Sequence, residues 1–212
     1  MVTLLLVRHG FSVGNKTNTF TGHLDIPLCD LGIKQAELVS DYILKNYKVD
    51  GIYSSPMSRA VDTVKKISDK LNLPINLNKD LIEIHGGDWE GMNFKDMEEK
   101  YPEEFKSWTD NKGLVRCPNG ESMKDAGDRA YKALVEICNS NPDKTLVIAS
   151  HGGVLRTLRC YFSGLGIESF NDVPWAPNAS ISIVQFENGK FLPKGFGITE
   201  HLNDLTTNLP NL

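Results

Sequence analysis

The chain has 212 residues, 40% hydrophobic and 24% charged, which suits one soluble globular domain (residues 1–212) and excludes a disordered or fibrous chain. A formal net charge of −4 gives no basic face for nucleic acid, while a few local arginines can still hold a small anion.

Residues 2–7 read as a buried strand, whose core Leu4-Leu5-Leu6-Val7 runs straight into Arg8-His9-Gly10. Residues 15–27 read as loop. Asp30 is placed to cap a helix that reaches about Asn46, with Leu38, Tyr42, Ile43 and Tyr47 on one face. Gly51-Ile52-Tyr53 is a short strand that leads through Ser54-Ser55-Pro56 to a helix carrying Val61, Val64, Ile67 and Leu71. Residues 73–77 give another short strand. Between about 85 and 120 the periodicity breaks into Trp89, Phe94, Tyr101, Phe105 and Trp108 among charges. This stretch reads as a helical insertion over one end of the sheet, a lid over the site. Residues 121–139 predict a long helix with Met123, Ala126, Ala130, Leu134, Ile137 and Cys138 inward. Residues 145–149 are a second strong strand, which runs into Ser150-His151-Gly152-Gly153 and a following helix. Residues 180–186 and 191–195 flank Asn188-Gly189, a strong hairpin signal, and the tail from about 203 to 212 reads as loose.

Alternating strands and helices predict an α/β, three-layer fold, a mostly parallel sheet flanked by helices on both faces. The terminal hairpin adds one antiparallel strand. The amino-terminal apolar run is too short for a signal peptide or a membrane span. Cys29, Cys117, Cys138 and Cys160 are widely spaced and form no CxxC, as expected of reduced thiols in a cytoplasmic protein with no metal site.

Arg8-His9, Arg59 and His151 all follow strands that this topology makes parallel, so they are expected to meet at one edge of the sheet, where open α/β folds bind ligands. An arginine fork suits phosphate, and a neutral imidazole with one ring nitrogen held and the other free is a competent nucleophile. A second histidine can donate to phosphoryl oxygens, and the Gly152-Gly153 helix start offers backbone N–H groups to the same anion. A carboxylic acid must stand nearby to protonate the leaving alcohol.

These residues resemble a known family. Leu6-Val7-Arg8-His9-Gly10 with Ser12 and Asn15 is similar to the signature of the histidine phosphatase superfamily, in its phosphoglycerate-mutase-like branch. The likeness continues in order through Gly22-His23-Leu24-Asp25-Ile26-Pro27-Leu28, Leu31-Gly32, Gln35-Ala36 and Ser54-Ser55-Pro56-Met57-Ser58-Arg59-Ala60. It resumes at Glu83 with Gly87-Asp88-Trp89-Glu90-Gly91, at Asn119-Gly120-Glu121-Ser122 and at Ser150-His151-Gly152-Gly153. The resemblance implies that His9 attacks phosphorus and carries a phosphohistidine. Arg8, Arg59 and His151 would clamp the phosphoryl oxygens, with Asn15 and Ser12 assisting, and Glu83 would be the acid and then the base. It implies a small phosphorylated substrate, no cofactor and no metal. Asn178-Ala179-Ser180 also looks like the family, with backbone approaching the phosphate. Phe11, where the family usually has Glu or Gln, and Gly86, where a bulky apolar residue is common, are departures. His85 beside Glu83, His23 and His201 are expected at solvated loop positions.

A phosphatase is favoured over a mutase, because the segment between Glu83 and His151 lacks the longer, Pro-rich insertion that the resemblance would require of a mutase. Two other readings exist. Gly10-Phe11-Ser12-Val13-Gly14 formally matches the nucleophile elbow of serine hydrolases, and a pocket that had lost turnover would be a phospholigand-binding module.

Overall fold

The computed structural model describes residues 1–207 and is built on a six-stranded sheet. Its strands are β1 (Val2–Arg8), β2 (Gly51–Ser54), β3 (Ile75–Leu77), β4 (Thr145–Ser150), β5 (Ile181–Glu187) and β6 (Lys190–Ile198). Their order across the sheet is β3-β2-β4-β1-β5-β6. β4 pairs in parallel with both β1 and β2, and Arg8 lies opposite Ser150. Only β5 runs against the rest, antiparallel to β1 on one side and β6 on the other. The mixed sheet is the one the periodicity predicts.

The apolar run of β1 is continuous because both faces of the sheet are covered. Leu5 and Val7 join Ile52, Val147 and Ala149 in a cluster with Val39 and Ile43 of α2 (Asp30–Asn46) and Val64 and Ile67 of α3 (Ser58–Leu71). Leu4, Leu6, Leu146 and Ile148 join the opposite cluster, with Ala130 and Leu134 of α6 (Met123–Asn139) and Val154 and Leu158 of α7 (Gly152–Phe162). All six residues expected to face inward on α6 are buried.

Residues 85–120 fold as the expected helical insertion, with α4 (Phe94–Lys100) and α5 (Pro102–Asp110). Trp89 and Trp108 are buried rather than displayed, packed edge-on to one another and to Phe20.

Four local expectations are corrected. Residues 13–16 form one helical turn, α1 (Val13–Lys16), because Ser12 and Asn15 close a capping box there. The helix at 30 is capped by Cys29, and Asp30 sits inside the first turn, where its charge favours the helix dipole. That helix also buries a rotated face, Gln35, Ala36, Val39, Ser40 and Ile43, while Leu38, Tyr42 and Tyr47 are only partly buried. Gln35 can be buried because its amide is used: Oε1 accepts from Phe11 N at 2.8 Å and Nε2 donates to Leu205 O at 2.7 Å. The same bond shows that the tail is not loose from 203 onward. Asn203–Leu205 is a short 3-10 turn, and Thr207 Oγ1 donates to Asn178 Oδ1. The remainder of the expected loose tail, 208–212, lies outside the described residues.

Candidate active site

β1, β2 and β4 all end at one edge of the sheet, and there the chain delivers Arg8-His9, Ser55 and Ser150-His151. His9 and His151 lie with ring centroids 5.2 Å apart. The two imidazoles, expected on sequence grounds to meet, do meet.

His9 is buried and its Nδ1 faces Gly10 O at 2.7 Å, a contact only an N–H can satisfy, so Nε2 is left with the free lone pair. Burial first, then the Arg59 and Arg8 charges, push its pKa well below the ordinary histidine value. That direction favours a neutral ring, whose free lone pair can attack an electrophile. His151 is fully buried and its pKa is likewise pushed well down, by burial and then by Arg59 and His9. Its Nε2 lies 2.8 Å from Ser55 Oγ, which also accepts from Met57 N, and its Nδ1 is buried with no partner.

Two guanidinium groups flank the histidines. Arg8 Nη1 donates to Ala176 O at 2.6 Å, and Arg59 donates from Nη1 to Leu24 O at 2.7 Å and from Nη2 to Gly22 O at 2.8 Å. Both Nε atoms are buried without a partner. Among the described residues neither arginine has a carboxylate within ion-pair distance. Burial draws the Arg8 pKa down to about 10 and lowers that of Arg59. Two buried cations bonded only to carbonyls, with Glu83 acting on both from beyond ion-pair distance, are costly unless an anion joins them.

Gly152 lets this happen. A Cβ there would lie 3.1 Å from Arg8 Cζ, so only glycine lets the guanidinium lie against the start of α7. Glu83 follows the strand β3 and a 3-10 turn, and its carboxylate also sits at that helix start. Oε2 accepts from Gly153 N at 2.9 Å and Oε1 from Val154 N at 3.2 Å, where the helix dipole favours negative charge.

Asn15 Oδ1 accepts from Ser12 N, Ser12 Oγ and Asn178 Nδ2, each at 3.1 Å, so its Nδ2 is the group left to face a ligand. Asn15, Arg8, Glu83 and Gly152 all line one cleft of about 140 Å³. Ser12 is placed differently from a ligand or a nucleophile: its hydroxyl donates to Asn15 Oδ1 and accepts from Asn15 N, closing the cap of α1. The N–H of Ala179 is spent on Arg8 O and His9 O, so this segment braces the nucleophile strand and does not offer its amide to phosphate.

Neither departure from the family signature disturbs the site. Phe11 contributes its backbone, its N–H to Gln35 and its carbonyl to Cys29 N. Gly86 makes room for Phe20, whose ring would lie 2.5 Å from a Cβ there, so an aromatic ring from another loop fills the space. His201 is buried, not solvated, with Nε2 bonded to Ala179 O at 2.9 Å. His23 is exposed as expected, yet its Nε2 reaches Glu83 O at 2.9 Å and its ring stacks near that of half-buried His85.

Arg129 is a residue sequence reading passed over. It donates to Asp80 O, Ile82 O and Glu83 O and pairs with Glu121, whose Oε2 also accepts from His85 N. Together they fix the backbone that carries Glu83. The available signal was Glu121 in the Asn119-Gly120-Glu121-Ser122 stretch, with no role attached to it.

Comparison with known proteins agrees with this geometry. Phosphoserine phosphatase 1 of Hydrogenobacter thermophilus is 33% identical over 207 residues, covering 96% of this chain and 96% of its own. Phosphoglycerate mutase-like protein 4 of Arabidopsis thaliana is 31% identical, over 95% of this chain and 87% of its own. The solved structure of Bacillus stearothermophilus YhfR superposes with a TM-score of 0.90 at 28% identity, covering 95% of this chain and all (100%) of that one. The family model of the histidine phosphatase superfamily (branch 1) matches residues 4–199, and the chain belongs to that superfamily.

Proposed function

We propose that this phosphatase hydrolyses a phosphomonoester of a small metabolite by two in-line transfers through His9. Arg8, Arg59, Asn15 Nδ2 and the His151 ring would hold the three phosphoryl oxygens. The free Nε2 of His9 attacks phosphorus while the ester P–O bond breaks, and Glu83 gives its proton to the departing alcohol oxygen. Phosphorus is then bonded to nitrogen. Glu83, now a carboxylate, takes a proton from water as the water oxygen attacks, the P–N bond breaks, and inorganic phosphate leaves. Glu83 ends protonated, ready for the next turn.

The Ser55 hydroxyl has Met57 N as its donor, so its own proton is available to His151 Nε2. That bond would set His151 as the Nδ1–H tautomer, turning its unpartnered nitrogen into a donor for a phosphoryl oxygen. The observation that carries the reading is the pair of buried, carboxylate-free arginines around an imidazole whose Nδ1 is tied down. They supply the positive charge that phosphoryl transfer requires.

Hydrolysis is preferred to isomerisation of a phosphoglycerate, with relatives named as phosphatases alongside three that carry mutase or mutase-like names. Four free cysteines, three of them buried, fit a reducing, cytoplasmic setting, and a net charge of −4 fits a small-molecule partner rather than nucleic acid or membrane. The test is phosphate release from p-nitrophenyl phosphate by wild type and His9→Ala, with the phosphoenzyme trapped by alkaline quench. Wild type should release phosphate and trap label on His9, and the variant should do neither. Equal rates would overturn the proposal, and so would clean conversion of 3-phosphoglycerate to its 2-isomer without free phosphate.

A further inference from the structure

From the cleft beside the phosphate-binding groups we infer the substrate class: a phosphomonoester whose alcohol part is uncharged and carries an apolar, ring-sized group. This rests on the phosphatase reading above and specifies what the leaving group must look like. Besides Arg8 and Glu83, the cleft is lined by the apolar side chains of Phe20, Ile84, Phe94, Trp108, Met123 and Trp175 and by the uncharged polar ones of Asn15, Asn18, Thr19 and Thr21. Apart from Arg8 and Glu83, no charged side chain lines the cleft among the described residues. Arg8 is already committed to the phosphoryl group, and Glu83 offers a second anion no positive charge.

A carboxylate on the substrate would therefore find no cation beyond the one that holds the phosphoryl group, at a cost in affinity that an uncharged, apolar group does not meet. The nearest other cations do not change this. Lys112 Nζ sits 5.3 Å from the Trp108 ring and Arg156 lies 4.5 Å from the Trp175 ring, yet neither lines the cleft. Arg156 is engaged with the Val173 and Asn171 carbonyls.

Size points the same way. The cleft holds about 140 Å³, close to the roughly 150 Å³ of an engineered apolar cavity that takes benzene. The cleft opens to solvent, so this volume sets the size of the group that seats against the aromatic side chains, about one six-membered ring or a short branched chain, and not of the whole alcohol. The aromatic wall is also built in, since Gly86 is the absence of a side chain that allows Phe20 to stand there.

The experiment compares benzyl phosphate, glycerol 3-phosphate and O-phosphoserine, all esters of primary alcohols, so that aryl leaving-group reactivity does not enter. kcat/KM is measured for each with wild type, His9→Ala and Phe94→Ala. Benzyl phosphate should exceed both others by about tenfold or more, and Phe94→Ala should lower the benzyl-to-glycerol ratio severalfold. Because that ratio is taken within one preparation, a partly unfolded variant does not distort it. His9-dependent turnover that favours O-phosphoserine, or a ratio unmoved by Phe94→Ala, overturns the substrate class and leaves the phosphatase reading standing. No His9-dependent turnover of any ester overturns both.

Discussion

Asn178 donates from Nδ2 to Asn15 Oδ1 at 3.1 Å and to His9 O at 3.1 Å, so one buried amide ties the far end of the chain to the proposed nucleophile and to the Asn15 amide at once. Asn15 is oriented only because its oxygen is saturated. With Oδ1 held by three donors, its Nδ2 has one direction left, into the cleft.

Replacing Asn178 by Ala should therefore do two separable things. The carbonyl of His9 loses one of two donors and keeps Ala179 N, which costs about 0.5–1.5 kcal/mol of stability in urea unfolding. Asn15 becomes free to rotate, so KM for any phosphomonoester should rise by roughly tenfold, one hydrogen bond's worth. A variant that is destabilised yet keeps its wild-type KM would make Asn178 a purely structural brace.

Glu83 is asked to serve twice, and the two services can be pulled apart. With an alkyl phosphate, Glu83→Gln should lower kcat by about 10²–10⁴-fold, because the alkoxide finds no proton. With p-nitrophenyl phosphate the leaving group needs none, so His9 should still be phosphorylated while water attack stalls. Rapid-quench traces should show a burst of about one equivalent of nitrophenol and then a slow steady state. A uniform loss on both substrates, with no burst, would mean that Glu83 acts only by charge.

The rival nucleophile is tested at Ser12. Its hydroxyl is bonded on both sides to Asn15 at the start of α1, with no histidine among its partners. Ser12→Ala should cost about 1 kcal/mol as a lost cap and leave phosphatase turnover at least a tenth of wild type. A fluorophosphonate probe should not label the wild-type protein; labelling at Ser12 would revive the serine hydrolase.

The sheet and the meeting of Arg8, His9 and His151 at one of its edges are legible in the sequence because they depend on short-range signals. Leu4-Leu5-Leu6-Val7 is apolar on both faces, and a strand covered on both faces in a parallel sheet must deliver Arg8-His9 to the ligand edge. What could not be read were pairings between distant segments. Nothing local to Asn178 announces Asn15, 163 positions away, and nothing local to Gln35 announces Leu205. The inward face of α2 was misjudged for the same reason: a buried Gln35 makes sense only once both of its hydrogen-bond partners are in place. Gly86 looked like a lost side chain and proves to be the space that Phe20 occupies.

Stability should carry the signature of the two histidines as pH falls. Each has a folded-state pKa below its ordinary value of 6.5, driven first by burial and then by Arg59. Above about pH 6.5 both rings are neutral folded or unfolded, and they add no pH dependence. Below it the unfolded chain takes up protons that the folded protein refuses, so unfolding gains free energy, at most about 1.4 kcal/mol per pH unit for each ring. Urea unfolding between pH 7 and pH 5, in buffers free of phosphate so that no anion stabilises the site, should thus show stability declining with acid. The carboxylates are common to all three proteins, so their contribution to the slope is shared. His9→Gln should flatten the slope, and His9→Gln with His151→Gln should flatten it further. Parallel slopes for all three proteins would mean that these rings accept protons in the folded state as readily as in the unfolded one, and a neutral His9 nucleophile at pH 7 would lose its electrostatic basis.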